Sequence, residues 1–328
     1  MRAVFALLAA MNLVILLLQT TSGDFPIPVL DALKTVFRIG EWNERYDLIV
    51  LRFRLPRALI AFLVGASLAL SGVILQGITR NPLASPGIVG LNAGASLAAV
   101  AIIALMTKPS VALLPPAAFV GALLAAMLSY AFAWKRGLST MRLLLTGASI
   151  TAFGGAGVTF LLTITDIHDA KQAVLWMSGS VYGRSWEHFW PLLPWFLVLA
   201  PVCLLLARQL DVIKLGDELA LGLGSRLERI RLILLLAAVG LAGSAVATAG
   251  TVGFVGLMAP HLARYIAGAS SRILFPAAAL IGGGLVMGAD LLGRTILRPV
   301  EIPCGILIAL IGAPYMIYLL LRRNKTIG

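Results

Sequence analysis

Few side chains in this sequence have the type and position to do chemistry in an apolar environment. Asp290 and His261 are the main ionisable groups in long apolar segments, where the functional groups of membrane proteins are usually found. Arg294 follows Asp290 by four residues, one helical turn, so the spacing favours a local ion pair at a helix end over a proton relay. Cys203 and Cys304 both lie in apolar segments and predict neither a disulfide nor a metal site.

No motif in the chain indicates catalysis. The sequence contains no Gly-Lys-Ser or Gly-Lys-Thr, so nucleotide hydrolysis by a P-loop is excluded. No nucleophile stands beside a base and an orienting acid, and the three histidines are too far apart in sequence to predict a metal site. A proton-coupled carrier would need more carboxylates at membrane depth. We therefore interpret the chain as a non-enzyme without a cofactor, whose energy comes from outside the membrane.

The composition is that of a polytopic membrane protein. Of the 328 residues, 60% are hydrophobic and 12% are charged, whereas soluble proteins average about 25% charged residues. The net charge of +12 comes from basic residues dispersed over short loops, without the basic stripe and interleaved aromatic residues of a nucleic-acid-binding protein. The predicted surrounding is therefore membrane lipid, and no nucleic-acid partner is expected.

Ten apolar segments have the length of transmembrane helices, so the predicted class is all-α. Ten crossings place both termini on one side; with the termini in the cytoplasm, 15 of the 26 Lys and Arg residues lie inside and 11 outside. The first segment is expected to be a retained helix, because the residues after it form a poor signal-peptide cleavage site. The segments lie at about residues 3–19, 57–77, 88–107, 111–133, 142–165, 190–208, 230–248, 252–268, 273–293 and 302–321.

Glycine is frequent in these segments and predicts close helix packing. Gly90 with Gly94, and Gly284 with Gly288, are pairs at the spacing that lets helix backbones approach each other in a membrane. The run 154–157 has three glycines in four residues and predicts an irregular or broken helix, which would either line a pathway or permit close packing.

The loop between the sixth and seventh predicted spans has the pattern of a short amphipathic helix. It runs from Leu215 to Gly224, begins with two acidic residues and ends in glycine. Leu219, Leu223 and Leu227 recur every four residues and would form one apolar face. The same pattern is typical of a helix lying on a lipid surface, so these residues alone leave both interpretations open.

Four further motifs follow one another along the chain. They are Arg54-Leu-Pro-Arg57, Gln76-Gly77 with the bend Arg80-Asn-Pro-Leu-Ala-Ser-Pro-Gly87, Gly253-Phe-Val-Gly-Leu-Met-Ala-Pro-His261-Leu-Ala-Arg264, and Glu301-Ile-Pro303 through Ile311-Gly-Ala-Pro314. Together they resemble the FecCD permeases, the transmembrane subunits of ABC importers for ferric siderophores, haem and cobalamin. The segment 173–186, Ala-Val-Leu-Trp-Met-Ser-Gly-Ser-Val-Tyr-Gly-Arg-Ser-Trp, looks most like the ferric-citrate and hydroxamate-siderophore members.

The resemblance implies the architecture of a type II ABC importer permease. Residues 1–328 would form a single transmembrane permease domain of about ten helices, in which helices two to five and seven to ten are inverted repeats. The permease would pair with a second copy or a related chain, bind two copies of an ABC ATP-binding subunit and receive its substrate from an extracytoplasmic binding protein. Its location would be the bacterial cytoplasmic (inner) membrane.

The resemblance also implies a docking role for three arginines. Arg54, Arg57 and Arg294 match cations that face glutamates on the two lobes of the binding protein. For Arg54 and Arg57 the alternative is an ordinary helix-end arginine that reaches the lipid headgroups.

Two cytoplasmic elements have implied roles as well. The loop at about 211–228 would be the coupling loop that docks in the ATP-binding subunit, with the residues Leu215, Gly216, Asp217, Glu218, Leu219, Ala220, Gly222 and Gly224. The implied cytoplasmic gate consists of Asn81, Leu83, Ser139 and Thr140. Met141 departs from the pattern, because the cobalamin permease has a small polar residue there.

These observations predict the permease subunit of an ATP-driven importer of a ferric siderophore. Iron would arrive already wrapped in an organic ligand, which fits a membrane interior without a cluster of His, Cys or carboxylate groups. A haem or cobalamin importer of the same architecture is the alternative. A proton-coupled secondary carrier and a membrane-bound receptor are more distant alternatives.

Overall fold

A computed structural model of the chain describes residues 1–23, 25–39, 43–106, 111–135, 137–297 and 299–324. Within these ranges the structure is helical, as predicted, and contains no strand beyond an isolated bridge between Trp134 and Leu138. A π-helical segment, Asp47–Arg54, leads directly into the fourth α-helix. The α-helices are α1 (Arg2–Thr21), α2 (Val29–Phe37), α3 (Glu44–Tyr46), α4 (Leu55–Thr79), α5 (Leu91–Leu105), α6 (Leu114–Ala133), α7 (Thr140–Ile164), α8 (Ile167–Met177), α9 (Trp186–Leu205), α10 (Ala207–Lys214), α11 (Asp217–Gly222), α12 (Leu227–Ala249), α13 (Val255–Ala267), α14 (Ser271–Gly293) and α15 (Cys304–Asn324).

The described part of the chain has seven helices that are long and apolar enough to cross a membrane. Two shorter apolar helices, Leu91–Leu105 and Cys304–Leu319, accompany them. Each of the ten predicted segments coincides with a helix, and the segment 252–268 corresponds to α13, which has 13 residues. A multi-pass helical protein is confirmed, whereas ten crossings and the inverted repeats stay predictions.

Helix α4 lies at the centre of the bundle, with α12, α13 and α14 packed around it. Pro56 stands in its first turn, directly after the π-helical segment, and donates no backbone hydrogen bond there. Arg80 ends the helix with a left-handed φ of 51°. The residue after it, Asn81, precedes Pro82 and is therefore disfavoured in helical geometry.

Two glycines bring α4 into backbone contact with its neighbours. A Cβ on Gly65 would collide with the carbonyl oxygen of Gly282 in α14. A Cβ on Gly72 would collide with the carbonyl of Gly256 in α13. The absence of a side chain at these positions lets three helices pack as closely as their backbones permit.

The predicted glycine pairs have different outcomes. Gly94 of α5 meets Gly121 of α6 in backbone contact, as expected. In α14, Gly284 faces the side chain of Asn12 in α1, and the Cβ position of Gly288 has no atom within 4 Å among the described residues. Close packing is therefore confirmed for Gly94 and not for Gly288.

The predicted break at the glycine run is wrong, because α7 continues without interruption through residues 154–157. Gly154 packs on Ala93, and Gly157 lies beside Leu97, so both glycines accommodate α5. A Cβ at Gly155 would have no described atom within 4 Å. The run serves close packing of α5, and the helix keeps its hydrogen bonds.

Contacts at the two ends of the bundle agree with the predicted alternation of crossings. At one end, called the outer end here, the last turns of α1 and α14 meet the start of α4 through Arg54 and Arg57. At the other, the inner end, the last turn of α4 meets α11 and the start of α12 through Asp217. Helix ends that the predicted topology places on one side therefore lie together.

Candidate functional site

Arg57 holds two carboxylates together at the outer end. Its Nη2 lies 2.8 Å from Oδ1 of Asp290, at the end of α14, and 2.7 Å from Oε2 of Glu301, just before α15. The Asp290 side chain is only 3% exposed, and a carboxylate so deeply buried requires such a partner. The predicted ion pair between Asp290 and Arg294 is therefore wrong, because Asp290 pairs with Arg57 of α4 instead.

Arg54 and Arg294 cap the last turn of α1. Arg54 donates to the carbonyl oxygens of Thr20 and Thr21, at 2.9 and 3.1 Å, and Arg294 donates to that of Gln19 at 2.6 Å. The final carbonyls of a helix have no intrahelical donors and carry partial negative charge, so a guanidinium group satisfies both needs. Both arginines are buried, with 8% and 7% of their surfaces exposed. The family resemblance singled out both residues, and the structure places them in internal contacts.

These five side chains form an outer cluster, consisting of Arg54, Arg57, Asp290, Arg294 and Glu301. A cavity of about 740 Å³ lies beside it and shares Glu301 as a lining residue. Tyr182, another lining residue, has its ring 5.7 Å from the guanidinium carbon of Arg57. His261, the other ionisable group singled out in the sequence, is not a member of this cluster, and its ring packs edge-on against Tyr315.

The predicted coupling loop contains the expected short helix, α11, with Asp217 and Glu218 in its first turn. Leu215, Leu219 and Leu223 are 59%, 60% and 67% exposed. Leu227 is wrong as a member of this face, because it begins α12 and is buried in the core. The exposed leucines form an apolar patch of the kind that marks an interaction surface.

Asp217 connects this exposed helix to the membrane-spanning bundle. Its Oδ1 lies 2.6 Å from Nη2 of Arg231 in α12 and 3.2 Å from Nη2 of Arg80 at the end of α4. Arg231 is only 1% exposed and also approaches Glu228 at 3.5 Å. These four residues, Arg80, Asp217, Glu228 and Arg231, form an inner cluster that spans three helices.

The two predicted gate segments contact different members of the inner cluster, one through Arg80 and the other through Glu228. The turn after Arg80 is closed by Asn81, whose Oδ1 accepts from the backbone N–H of Leu83 at 2.9 Å. The segment before α7 reaches the cluster through the backbone N–H of Leu138, which donates to Glu228 at 3.4 Å.

Within the described residues, no hydrogen bond joins Asn81 or Leu83 directly to Ser139 or Thr140. Ser139 is the N-cap residue of α7, and Thr140 begins that helix. Their connection to the other segment therefore runs through Arg231 and its two carboxylate partners.

The sequence analysis missed Glu228, Arg231 and Glu301. Glu228 and Arg231 sit three residues apart at the start of an apolar helix, a spacing that predicts an ion pair on one helical face. Glu301 belongs to a motif of the sequence, but its partner lies 244 residues away in the chain. Only the folded structure brings that pair together.

Asp211 forms a second polar contact at the inner end. From α10 it accepts hydrogen bonds from the backbone N–H and the hydroxyl of Ser271, at 3.1 and 2.6 Å, and from Lys214 at 2.9 Å. Burial opposes the charged form, yet these hydrogen bonds lower the pKa of Asp211 below its usual value. Asp211 thereby stabilises the N-terminal end of α14 in its ionised state.

The described residues contain no group of three or more His, Cys, Asp or Glu side chains that could hold a metal ion. Two clusters of ion pairs lie at opposite ends of an apolar bundle. That arrangement fits a protein that binds partners at its two faces.

Comparison with known proteins places this architecture in a family. The family model described as the FecCD transport family matches residues 11–322. The Iron(3+)-hydroxamate import system permease protein FhuG of Bacillus subtilis (strain 168) is 42% identical over 98% of this chain and 97% of its own length. The Fe(3+)-citrate import system permease protein YfmE of the same organism is 44% identical, over 85% of this chain and 83% of its own.

Two further similar proteins are a relative named for another substrate and a protein of solved structure. The Hemin transport system permease protein HmuU of Yersinia pestis is 42% identical, over 86% of each chain. A solved structure described as a metal-chelate type ABC transporter in an inward-facing conformation matches with a TM-score of 0.88 and 28% identity, over 98% of this chain and 100% of its own. Sequence motifs, fold and relatives agree: the chain belongs to the FecCD transport family.

Proposed function

We propose that this chain is the transmembrane permease subunit of an ATP-driven ABC importer that moves a ferric siderophore across the bacterial cytoplasmic membrane. The relative with the fullest coverage among those compared is named for iron(3+)-hydroxamate import, and it aligns with nearly the whole chain. The structural observation that carries the proposal is the exposed helix α11, which is bonded through Asp217 to two helices of the bundle. Such an element transmits force from a partner to the membrane interior.

ATP hydrolysis takes place on a separate subunit in this proposal. The chain has no P-loop of its own, and two copies of an ABC ATP-binding subunit serve the permease pair. The surface they meet is the coupling loop at about 211–228, where the residues Leu215, Gly216, Asp217, Glu218, Leu219, Ala220, Gly222 and Gly224 lie. Its exposed leucines supply the apolar contact with the ATP-binding subunit. Ala220 is buried and faces the permease itself.

The inner cluster conveys movement of α11 to the cytoplasmic gate. When α11 moves, the ion pair between Asp217 and Arg80 moves the turn that carries Asn81 and Leu83. Arg231 and Glu228 extend the same linkage to the segment with Ser139 and Thr140. A rigid-body shift of the docked helix therefore acts on both gate segments together.

The outer end is the proposed docking surface for the extracytoplasmic binding protein. Arg54, Arg57 and Arg294 lie just beneath this surface, where Arg54 and Arg294 bond the last carbonyls of α1 and Arg57 bonds Asp290 and Glu301. Glutamates of the binding protein would pair with the arginines at the edge of the cluster, where 12% of the Arg57 side chain is exposed. Exposed pairs of this kind contribute about 0–1 kcal/mol each, so their main effect is on orientation and association rate.

The whole sequence, residues 1–328, acts as a single transmembrane permease domain in this proposal. It pairs with a second copy or with a related permease chain, and the substrate path lies between the two. The unbroken packing of α4 against helices from both halves of the sequence supports one domain rather than two.

The proposal is tested by reconstituting the chain in liposomes with its ATP-binding subunit and binding protein. Uptake of radioactive iron is measured with ferric citrate and with a ferric hydroxamate, with and without ATP. We expect uptake that requires both ATP and the binding protein.

Two results would contradict parts of the proposal. Uptake of haem or cobalamin without uptake of either iron complex would replace the substrate and leave the importer in place. Transport by this chain alone, driven by a proton gradient, would overturn the importer itself.

A further inference from the structure

An apolar groove lies between α6, α7 and α12 in the inner half of the bundle. Its volume is about 240 Å³. Apart from Tyr130, its lining side chains are apolar, and they include Met127 and Ala131 of α6 and Leu232 and Leu236 of α12. Met127 and Leu236 are 54% and 52% exposed, and both belong to helices long enough to cross the membrane. The groove is therefore open to the hydrocarbon of the bilayer.

Basic residues lie at the inner mouth of this groove. Arg229 precedes Leu232 by three residues on α12, so it lies on the same helical face and one turn nearer the inner end. Arg142 is in the first turn of α7, and its Nη2 donates to the carbonyl oxygens of Lys135 and Gly137 at 3.3 and 3.2 Å. These contacts bring Arg142 to the turn that follows α6, where Lys135 lies.

The start of α12 lies against the same turn. The backbone N–H of Leu138 donates to Glu228 at 3.4 Å, and a Cβ on Gly137 would lie 3.3 Å from the other oxygen of that carboxylate. The end of α6, the start of α7 and the start of α12 therefore meet at the mouth. Their three cations, Lys135, Arg142 and Arg229, belong to one region of the surface.

The charge at the mouth is positive on balance. Arg142 bonds to neutral carbonyl groups, which leave its charge uncompensated. Lys135 and Arg229 are exposed and form no ion pair within the part of the chain that the structure describes. Glu228 is the carboxylate on this side, and it already faces the buried Arg231 at 3.5 Å. Basic pockets between membrane helices on the cytoplasmic side bind anionic lipid headgroups.

Two aromatic side chains lie between the cations and the apolar groove. The ring centroids of Tyr130 and Trp134 are 5.6 Å apart, and Trp134 is 44% exposed. Aromatic residues of this kind are enriched at the level of the lipid headgroups. The order of cations, aromatic rings and apolar groove matches the order of phosphate, interface and acyl chain in a phospholipid.

We propose that the groove and its mouth bind an anionic phospholipid of the cytoplasmic leaflet. One acyl chain lies in the groove between α6 and α12, and the phosphate group lies against Lys135, Arg142 and Arg229. The bound lipid bridges the two helices on either side of the segment that carries Ser139. This proposal goes beyond the proposed function, and it does not depend on which cargo the permease moves.

The test counts lipids bound to the complex of the permease with its ATP-binding subunit by native mass spectrometry. The complex in detergent is titrated with phosphatidylglycerol, and phosphatidylcholine with the same acyl chains is the reference. Wild type should prefer phosphatidylglycerol, and K135Q/R229Q should bind it about tenfold more weakly because two of the three cations are lost. The control R208Q/R272Q removes two exposed arginines from α10 and α14 at the inner end and should bind as the wild type does.

A second variant tests the groove without changing its charge. A131F places an aromatic ring where the acyl chain would lie and should weaken phosphatidylglycerol binding several-fold. A9F, at an exposed position of α1, is its control and should have no effect. Phosphatidylglycerol should also raise the melting temperature of the wild type more than that of either groove variant, because a ligand of the folded state stabilises it. If K135Q/R229Q fails to assemble, R229Q and A131F provide the same comparison.

Several outcomes would overturn the proposal. They are equal affinity of the wild type for the two lipids, equal phosphatidylglycerol binding by K135Q/R229Q and R208Q/R272Q, or unchanged binding by A131F. A wild-type complex that retains no lipid would also overturn it and would indicate that a second copy of the chain covers the groove. Iron uptake is measured separately in the liposome assay, so failure of the lipid site leaves the proposed function in place.

Discussion

Arg57 shows how one side chain can organise the end of a helical bundle. It lies in the first turn of α4 and reaches carboxylates on two later segments of the chain, Asp290 and Glu301. The two carboxylates differ in environment, with 3% and 31% of their side chains exposed. The energetic contributions of these two bonds should therefore differ.

Replacing Arg57 with glutamine should destabilise the protein strongly. The change leaves the buried Asp290 carboxylate without its charged partner, and breaking a buried pair in this way costs about 3–5 kcal/mol. Thermal unfolding of the purified protein in detergent measures the effect. E301Q is the matched control, and its effect should stay within about 1 kcal/mol because that carboxylate is partly exposed. Equal losses in the two variants would contradict this assignment.

Asp211 should make stability depend on pH in acid. Its folded-state pKa lies below the usual value, so the ionised carboxylate stabilises the fold above the unfolded pKa of about 4. That stabilisation is lost as the pH falls from about 4 through the lower folded-state pKa. D211N should be less stable than the wild type at neutral pH and should lose less on acidification. Parallel stability curves for the two proteins would refute the prediction.

For single residues, the sequence indicated the important side chains but not the partners they bind. Asp290 was identified from its residue type, and the three arginines from the family resemblance. The partner of Asp290 was missed because helical spacing considers residues four apart, whereas Arg57 lies 233 residues away. Contacts between distant segments depend on packing that no local pattern contains.

The elements of the fold depend on small residues at helix crossings. Gly65 and Gly72 lie seven residues apart on one face of α4, and each meets the backbone of a different helix. Helices α4, α13 and α14 therefore form a closely packed block. Any movement during transport should leave this block intact and occur between it and the surrounding helices.

G72A should disrupt that block. The new methyl group would collide with the backbone of Gly256, and overpacking of this kind destabilises by about 1–3 kcal/mol or more. G288A in α14 is the control, because the Cβ position of Gly288 has open space around it. Melting temperatures in detergent should fall for G72A and stay constant or rise for G288A. A G72A protein as stable as the wild type would contradict the observed packing.

Breaking the bond between α11 and α4 should uncouple ATP hydrolysis from transport. R80Q removes the 3.2 Å contact to Asp217, and both side chains are about 40% exposed, so the fold should be little affected. We expect ATP hydrolysis by the assembled transporter to persist while iron uptake falls several-fold. R226Q, in the same loop, should behave as the wild type. Equal loss of ATP hydrolysis and uptake in R80Q would indicate failed assembly and would refute the coupling role.

Helix positions were predictable because the signals are local. Proline at the start of α4 and Asn81-Pro82 after its end mark the boundaries directly in the sequence. The prediction of a break in α7 was wrong because the number of glycines does not reveal which neighbouring residues they contact. In this fold they face Ala93 and Leu97 of α5, and the helix continues.

On the scale of the whole molecule, the two ends carry different kinds of surface. The outer end presents paired charges and a cavity, and the inner end presents exposed leucines on α11. This asymmetry suits a transporter that meets one partner outside and another inside. Family, class and general function were readable from ordered motifs, while the cavity required the folded chain because its walls come from α8, α12 and the turn before α15.

Leu219 and Leu223 should be required for assembly with the ATP-binding subunit. The L219Q/L223Q double variant replaces exposed apolar surface by polar surface, so the interface loses hydrophobic contact without loss of core packing. Co-purification of the two subunits should fall strongly. L30Q, an equally exposed leucine on α2 at the outer end, should leave assembly unchanged. Normal co-purification of the double variant would exclude α11 as the docking element.

The capping of α1 has a consequence for the order in which the protein is made. Arg54 emerges from the ribosome soon after α1, but Arg294 lies 275 residues beyond Gln19, whose carbonyl it caps. At about 5–20 residues per second, α1 waits roughly 14–55 seconds for this partner. The outer end of α1 is therefore completed only when the last helices are inserted, and a chain that stops short of Arg294 exposes an unfinished helix end to cellular quality control.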